Sequence, residues 1–200
     1  MSNLEATFGR HWVLSGVQGW KTRPLEHDDI AFTRMWRNAQ MSVLRQSEPI
    51  TPAGQEVWWS EVYVPESSWP RPRQLLFMML DPERRLAYGG FTNIDWNVRR
   101  AELSFMADTD LTNDLSNYEI VQRRFFAFLL DTAFGIYGFT RLFTETYEFR
   151  KRLIAILEEL GFRFEGRLRR HSWDQDRIVD SVVHGALAPE TKVPGWWELG

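Results

Sequence analysis

The chain has 200 residues, enough for one domain with a substantial core and too few for two comfortable ones. Hydrophobic residues make up 44% and charged residues 26%, and the net charge of −3 gives no general attraction to nucleic acid or to an anionic membrane. The absence of cysteine excludes disulfides, thiolate nucleophiles and cysteine metal sites.

Met1 to Arg10 lacks the basic-then-apolar pattern of a secretory signal, and no apolar run approaches the roughly 18 residues that span a bilayer, so the cytoplasm is the expected compartment. Residues 1–19 carry scattered glycines and read as an extension or an irregular first strand. Trp20 to Pro24 is a short strand and Glu26 to Asn38 a helix. Thr51-Pro52 opens a second helix, with threonine suited to the cap and proline to the first helical position. Pro65 to Pro72 holds three prolines and reads as a loop. Gln74 to Leu80 is a buried strand, and Ala87 to Trp96 with Arg100 to Ala107 forms a hairpin around Asn97 to Arg99.

Tyr118 to Phe134 is a long helix, for which Ser116-Asn117-Tyr118-Glu119 reads as a capping box and Val121, Phe125, Phe128 and Leu129 recur at helical spacing. Phe139 to Thr146 is a strand. Glu148 to Leu160 is a helix stopped by Gly161. Phe164 to Trp173 and Arg177 to Leu187 make a last hairpin around Asp174-Gln175-Asp176. Residues 188–200, with Trp196-Trp197, are a tail whose aromatic pair packs back on its own domain or on a second copy, as in a homodimer. The sum is a single α/β (α+β) domain over 20–187. It has a mixed, mostly antiparallel twisted sheet of about six to seven strands flanked by about four helices.

Three motifs stand in order. Leu160-Gly161-Phe162 is followed by Glu165-Gly166-Arg167-Leu168-Arg169-Arg170-His171, with Asp180 in the next strand. Trp36-Arg37-Asn38, Arg45 and Trp58 precede them. Together they resemble the GNAT superfamily of N-acyltransferases, in its ribosomal-protein-alanine and amino-sugar branch. The resemblance implies transfer of an acetyl group from acetyl-CoA as co-substrate, and no histidine or carboxylate spacing suggests a metal site. The acceptor is then a primary amine of a small molecule, an amino sugar or a peptide N-terminus.

By that resemblance, backbone N–H groups near a bulge at Phe105-Met106-Ala107 polarise the thioester carbonyl. Glu102 takes the amine proton. Read from the strand alone, Glu102 is equally a solvent-side residue paired with Arg99 or Arg100. For the acceptor, Trp36, Arg37 and Asn38 offer ring stacking and an arginine fork for phosphate or carboxylate. Against that, Trp36 suits the core and Asn38 a cap.

The chain departs from the family's pattern at the donor site. Relatives lead into the long helix through glycines that close around pyrophosphate, whereas Asp108 to Glu119 holds none and carries Asp108, Asp110, Asp114 and Glu119. Arg123 and Arg124, one turn further in, partly offset those carboxylates. The family's usual general-acid tyrosine position is Leu157, and Tyr147 is the substitute. Arg150, with Lys151 and Arg152, either binds the 3′-phosphate of CoA or is a solvated basic face. Two other readings follow from the altered loop: a binding module without chemistry, or an enzyme using an aminoacyl or carrier-bound donor.

Overall fold

The computed structural model describes residues 14–15, 19–174 and 177–188. The tail beyond residue 188, with Trp196-Trp197, lies outside them, as do Gln175 and Asp176 of the last turn. The strands are β1 (Leu14–Ser15), β2 (Lys21–Pro24), β3 (Leu75–Leu80), β4 (Arg85–Asp95), β5 (Arg100–Ala107), β6 (Arg141–Tyr147), β7 (Arg163–Asp174) and β8 (Arg177–Leu187). They form one sheet in the order β1-β2-β3-β4-β5-β6-β8-β7. Every neighbouring pair is antiparallel except β5 and β6. The strand count expected from the sequence is exceeded by the two-residue β1 at one edge.

Helices cover both faces, and β3 shows why. Its run Leu-Leu-Phe-Met-Met-Leu is buried almost throughout, so its alternating residues feed two cores. Leu75, Phe77 and Met79 join the larger core with the long helix α3 (Leu115–Asp131) and with α4 (Lys151–Glu159). Leu76 and Met78 join Leu25, Trp36, Tyr63, Tyr88 and Met106 on the other face. That face carries α1 (Ile30–Ala39) and α2, which begins at Pro52–Val57, passes through a π-helical stretch, Trp58–Tyr63, and ends at Val64–Ser67. Thr51 Oγ1 caps α2 by accepting from Gly54 N at 3.0 Å. The helix runs on through Pro65, where the sequence suggested a loop. Proline fits there because it enters at the first turn of the α segment that follows the π stretch, where a missing N–H costs little.

Two helix ends differ instructively. Gly161, at φ +92°, closes α4: Gly161 N donates to Glu158 O at 3.0 Å and Phe162 N to Leu157 O at 2.9 Å, a Schellman pair. The start of α3 needs correction. The helix begins at Leu115 rather than Tyr118, and its cap is Asp114, whose side chain accepts from Asn117 N at 3.2 Å. Ser116 lies inside the first turn, because Asp114 offers a carboxylate to the same orphan N–H groups from two residues earlier in the chain.

The glycine pair Gly89-Gly90 in β4 sets how closely the central strands approach. A Cβ at Gly89 would stand 2.1 Å from Ser104 O, and one at Gly90, where φ is +148°, 2.0 Å from Leu75 O. Among the described residues no helix is long and apolar enough to cross a membrane.

Candidate active site

The parallel pair β5–β6 is registered only at Arg100↔Arg141, Ala101↔Leu142 and Glu102↔Phe143. Beyond Glu102 the two strands part, and a cleft of about 120 Å³ opens through the sheet. Leu103, Phe105, Thr144 and Tyr147 line it, with Leu153 and Leu157 of α4. From Leu103 onward β5 has no strand on its β6 side, so alternate backbone groups face the cleft. Pairing with β4 is regular from Glu102 to Ala107, so the expected bulge at Phe105-Met106-Ala107 is not there. The irregularity lies on β4 instead: Thr92 pairs with Glu102 and Asp95 with Arg100, which leaves one extra residue on β4.

That bulge aims a side chain at the site. Asn93 adopts φ +48°, a conformation asparagine tolerates better than most residues, and its Nδ2 donates to Glu102 Oε2 at 2.6 Å. On the other oxygen, Arg45 donates to Glu102 Oε1 at 2.5 Å. Glu102 is therefore buried, 5% exposed, and paired with neither Arg99 nor Arg100. Arg45 also donates to Glu145 Oε2 at 2.9 Å, bridging carboxylates from both arms of the split. Burial lowers the Arg45 pKa, but the charge and hydrogen bond of Glu102, then the charge of Glu145, hold it above its ordinary value. Among the described residues Glu145 Oε1 has no hydrogen-bond partner, and His171 Nε2 lies 3.6 Å from it.

Arg45 belongs to a strap that crosses the cleft mouth. Val43, Leu44 and Arg45 line the cleft, and Tyr147 Oη donates to Leu44 O at 3.0 Å. Ser172 Oγ donates in turn to Tyr147 Oη at 3.3 Å. At its start the strap is tied by Gln40 Nε2 to Ala107 O at 2.9 Å. At its end Asn38 accepts from Ile50 N at 2.8 Å and Gln46 Nε2 at 3.1 Å, and donates to Ile50 O at 2.9 Å.

The other residues singled out from sequence separate. Trp36 is 4% exposed and packs in the core beside Tyr88. Asn38 shapes the strap, and Arg37 reaches a second, larger cavity. Arg123 is taken up by Glu159 at 2.9 Å and Glu119 at 3.1 Å. Arg124 is 3% exposed, with its guanidinium 4.7 Å from the Trp20 ring centre, so it is directed away from the cleft. Arg150 lines the cleft at the start of α4, and among the described residues no carboxylate pairs with it. Its neighbours Lys151 and Arg152 reach Glu148 and Glu119.

Sequence reasoning placed Arg45 only within a motif and gave Asn93 and Glu145 no role at all. An asparagine inside the strand-like run Phe91-Thr92-Asn93-Ile94 is a legible sign of a bulge, since strands are poor in asparagine. Nothing in the sequence announces that Arg45 and Glu145, a hundred residues apart, meet. Among the described residues no group of acidic, histidine or cysteine side chains is arranged to hold a metal.

A family model described as an acetyltransferase (GNAT) domain matches residues 23–183. No curated protein matches the chain by sequence. In fold, the chain is similar to the spermidine N-acetyltransferase of Vibrio cholerae solved with CoA and spermine. That match has a TM-score of 0.74 and 18% identity, covering 86% of this chain and 96% of that one. A dodecameric form of the same Vibrio cholerae enzyme in an intermediate state matches with a TM-score of 0.69 and 17% identity, covering 84% and 94%. Mutant forms of the Vibrio cholerae spermidine/spermine N-acetyltransferase match with a TM-score of 0.70 and 17% identity, covering 85% and 94%.

Proposed function

This chain belongs to the GNAT acetyltransferase family, and from that premise we propose that it moves an acetyl group from acetyl-CoA to the primary amine of a small molecule. The observation that carries the reading is the position of Glu102. It is a buried carboxylate that lines the cleft at the point where β5 and β6 part, held by Arg45 and Asn93.

In the transfer the amine nitrogen bonds to the thioester carbonyl carbon, and the C–S bond then breaks. The amine proton passes to Glu102, directly or through a water. Backbone N–H groups of β5 between Leu103 and Ala107 face the cleft and suit the oxyanion that forms on the carbonyl oxygen. The departing thiolate takes a proton from Tyr147, which lines the same cleft. Leu157, at the cleft wall, is apolar and supplies none.

The donor's phosphate end fits this chain differently from the family's pattern. Asp114 already engages the start of α3, and Arg123 and Arg124 are occupied elsewhere. Arg150 is the cation at the cleft rim without a carboxylate partner among the described residues, so it is the group assigned to a donor phosphate. The strap must also yield, because a cleft of about 120 Å³ is smaller than the arm that carries the thioester.

The test is amine-dependent release of CoA thiol from acetyl-CoA over a panel of primary amines, together with the melting temperature at millimolar acetyl-CoA. Binding raises that temperature by mass action. Absence of both the shift and the thiol would overturn the proposal.

A further inference from the structure

Between the sheet and the α1–α2 layer lies a cavity of about 570 Å³. Its walls combine hydroxyl and amide groups, such as Thr33, Gln55 and Gln74, with the rings of Trp58 and Tyr88. Among the described residues Arg37 is the one charged side chain in the lining. Two of the five N–H donors of its guanidinium are used among those residues, and both go to neutral acceptors: Nε to Gln46 Oε1 at 3.0 Å and one terminal nitrogen to Tyr88 Oη at 3.3 Å. No carboxylate of the described residues pairs with it, whereas Arg45, Arg123 and Arg141 each meet a glutamate. The two neutral bonds hold the plane in place and leave three donors, two on one terminal nitrogen and one on the other. That is a pre-formed fork for a planar or tetrahedral oxyanion.

The cavity opens onto the reacting end of the site. Thr92 and Ser104 line both it and the cleft, and Ser104 follows Glu102 on the same face of β5. The register Thr92↔Glu102, Gly90↔Ser104, Tyr88↔Met106 places Tyr88, the partner of Arg37, four residues along β4 from Thr92. That is a separation of about 13 Å between those backbone positions along the sheet.

We propose that the acceptor is an amine that also carries an anionic oxygen group, carboxylate or phosphate, on the order of 10 Å from its nitrogen. The anion rests on Arg37 and the nitrogen at Glu102. This rests on the acyltransferase reading above and gives its acceptor a chemical class. A second cation in place of the anion would meet a guanidinium and, among the described residues, no carboxylate in that cavity.

The experiment uses amines of one length that differ at the far end: 6-aminohexanoate, 6-aminohexyl phosphate, 1-aminohexane and 1,6-diaminohexane. Each is assayed for kcat/KM with acetyl-CoA, and each is titrated calorimetrically without a donor, against wild type, Arg37→Met and Arg37→Lys. Wild type is expected to favour the anionic amines over the diamine by at least about tenfold, the larger preference identifying carboxylate or phosphate. Arg37→Met should bring that ratio close to one, and Arg37→Lys, which keeps the charge, should retain part of it. A preference for the diamine or for 1-aminohexane, or a ratio unchanged in Arg37→Met, overturns the proposal while leaving acetyl transfer standing. Arg37-dependent binding of the anionic amines, with neither transfer to any amine nor a thermal shift with acetyl-CoA, supports the anion site and overturns the acyltransferase reading instead. Neither binding nor transfer overturns both.

Discussion

Arg45 donates a 2.5 Å hydrogen bond to Glu102 and reaches across the cleft to Glu145 with its other terminal nitrogen. One guanidinium thus offsets two carboxylates from two strands at the place where a cationic amine would have to lose its proton. The strap that brings it there is latched by Tyr147 to Leu44 O. The strap therefore borders the cleft and holds the Glu102 carboxylate at the same time.

Glu102→Gln keeps an acceptor oxygen for Arg45 but loses the one that takes the bond from Asn93, and it removes the proton acceptor. The expected result is a fall in kcat of roughly 10² or more, the usual scale for a lost general base, measured on protein shown by circular dichroism to be folded. Full turnover in this variant would remove Glu102 from the mechanism.

Tyr147→Phe separates latch from acid. If Tyr147 protonates the leaving thiolate, kcat with acetyl-CoA falls by roughly 10²-fold, and an acetyl thioester of an aryl thiol, whose anion leaves without a proton, restores most of it. Equal losses with both donors would leave Tyr147 only its contact with Leu44.

Arg150→Ala should raise the KM for acetyl-CoA by about tenfold through loss of a binding charge that acts alike on bound substrate and transition state. The same substitution should matter far less for an acetyl thioester that lacks phosphates. Steady-state kinetics with the two donors reads the difference.

Asp29 gives the fold an acid limit. It is 0% exposed, and Arg23 donates to it at 2.6 and 2.9 Å, Arg85 at 2.8 Å and Glu26 N at 2.9 Å. Burial alone would raise its pKa, but the bonds from Arg23, Glu26 and Arg85 outweigh burial and hold it below the ordinary carboxylate value. A depressed carboxyl contributes stability that is present above its unfolded pKa and lost as pH falls through the folded one. Urea unfolding should therefore show stability falling on acidification below about pH 4, more steeply for wild type than for Asp29→Asn. Near neutral pH the variant should be less stable by roughly 3 kcal/mol, the scale for breaking a buried ion pair.

Gly90→Ala places a methyl group 2.0 Å from Leu75 O at φ +148°, where nothing flexible can give way. The expected cost is at least about 3 kcal/mol in urea unfolding, from strain where β3 and β4 approach.

How much of this was legible beforehand follows from how local each cause is. The strand Arg100 to Ala107 was legible from its own residues, and it forms as β5. Gly161 and Thr51 announced their helix ends because capping is a matter of four or five consecutive residues. The start of α3 was misplaced for the same kind of reason, since Asp114 and Ser116 both satisfy the local rule and only the folded chain shows which one takes Asn117 N.

The sequence by itself determined the element order, the burial of both faces of β3, the absence of glycine from residues 108–119, and Glu102 as a carboxylate in a strand. Those are properties of neighbours along the chain. Only the tertiary structure decided what the carboxylate touches. Arg45 comes from a strap 57 residues earlier, Asn93 from a bulge on the adjacent strand, and Glu145 from a strand that pairs with β5 for three residues and then departs. The cleft exists because that parallel pairing stops at Glu102. Where a pairing stops depends on the packing of every strand and helix around it, which no run of consecutive residues encodes.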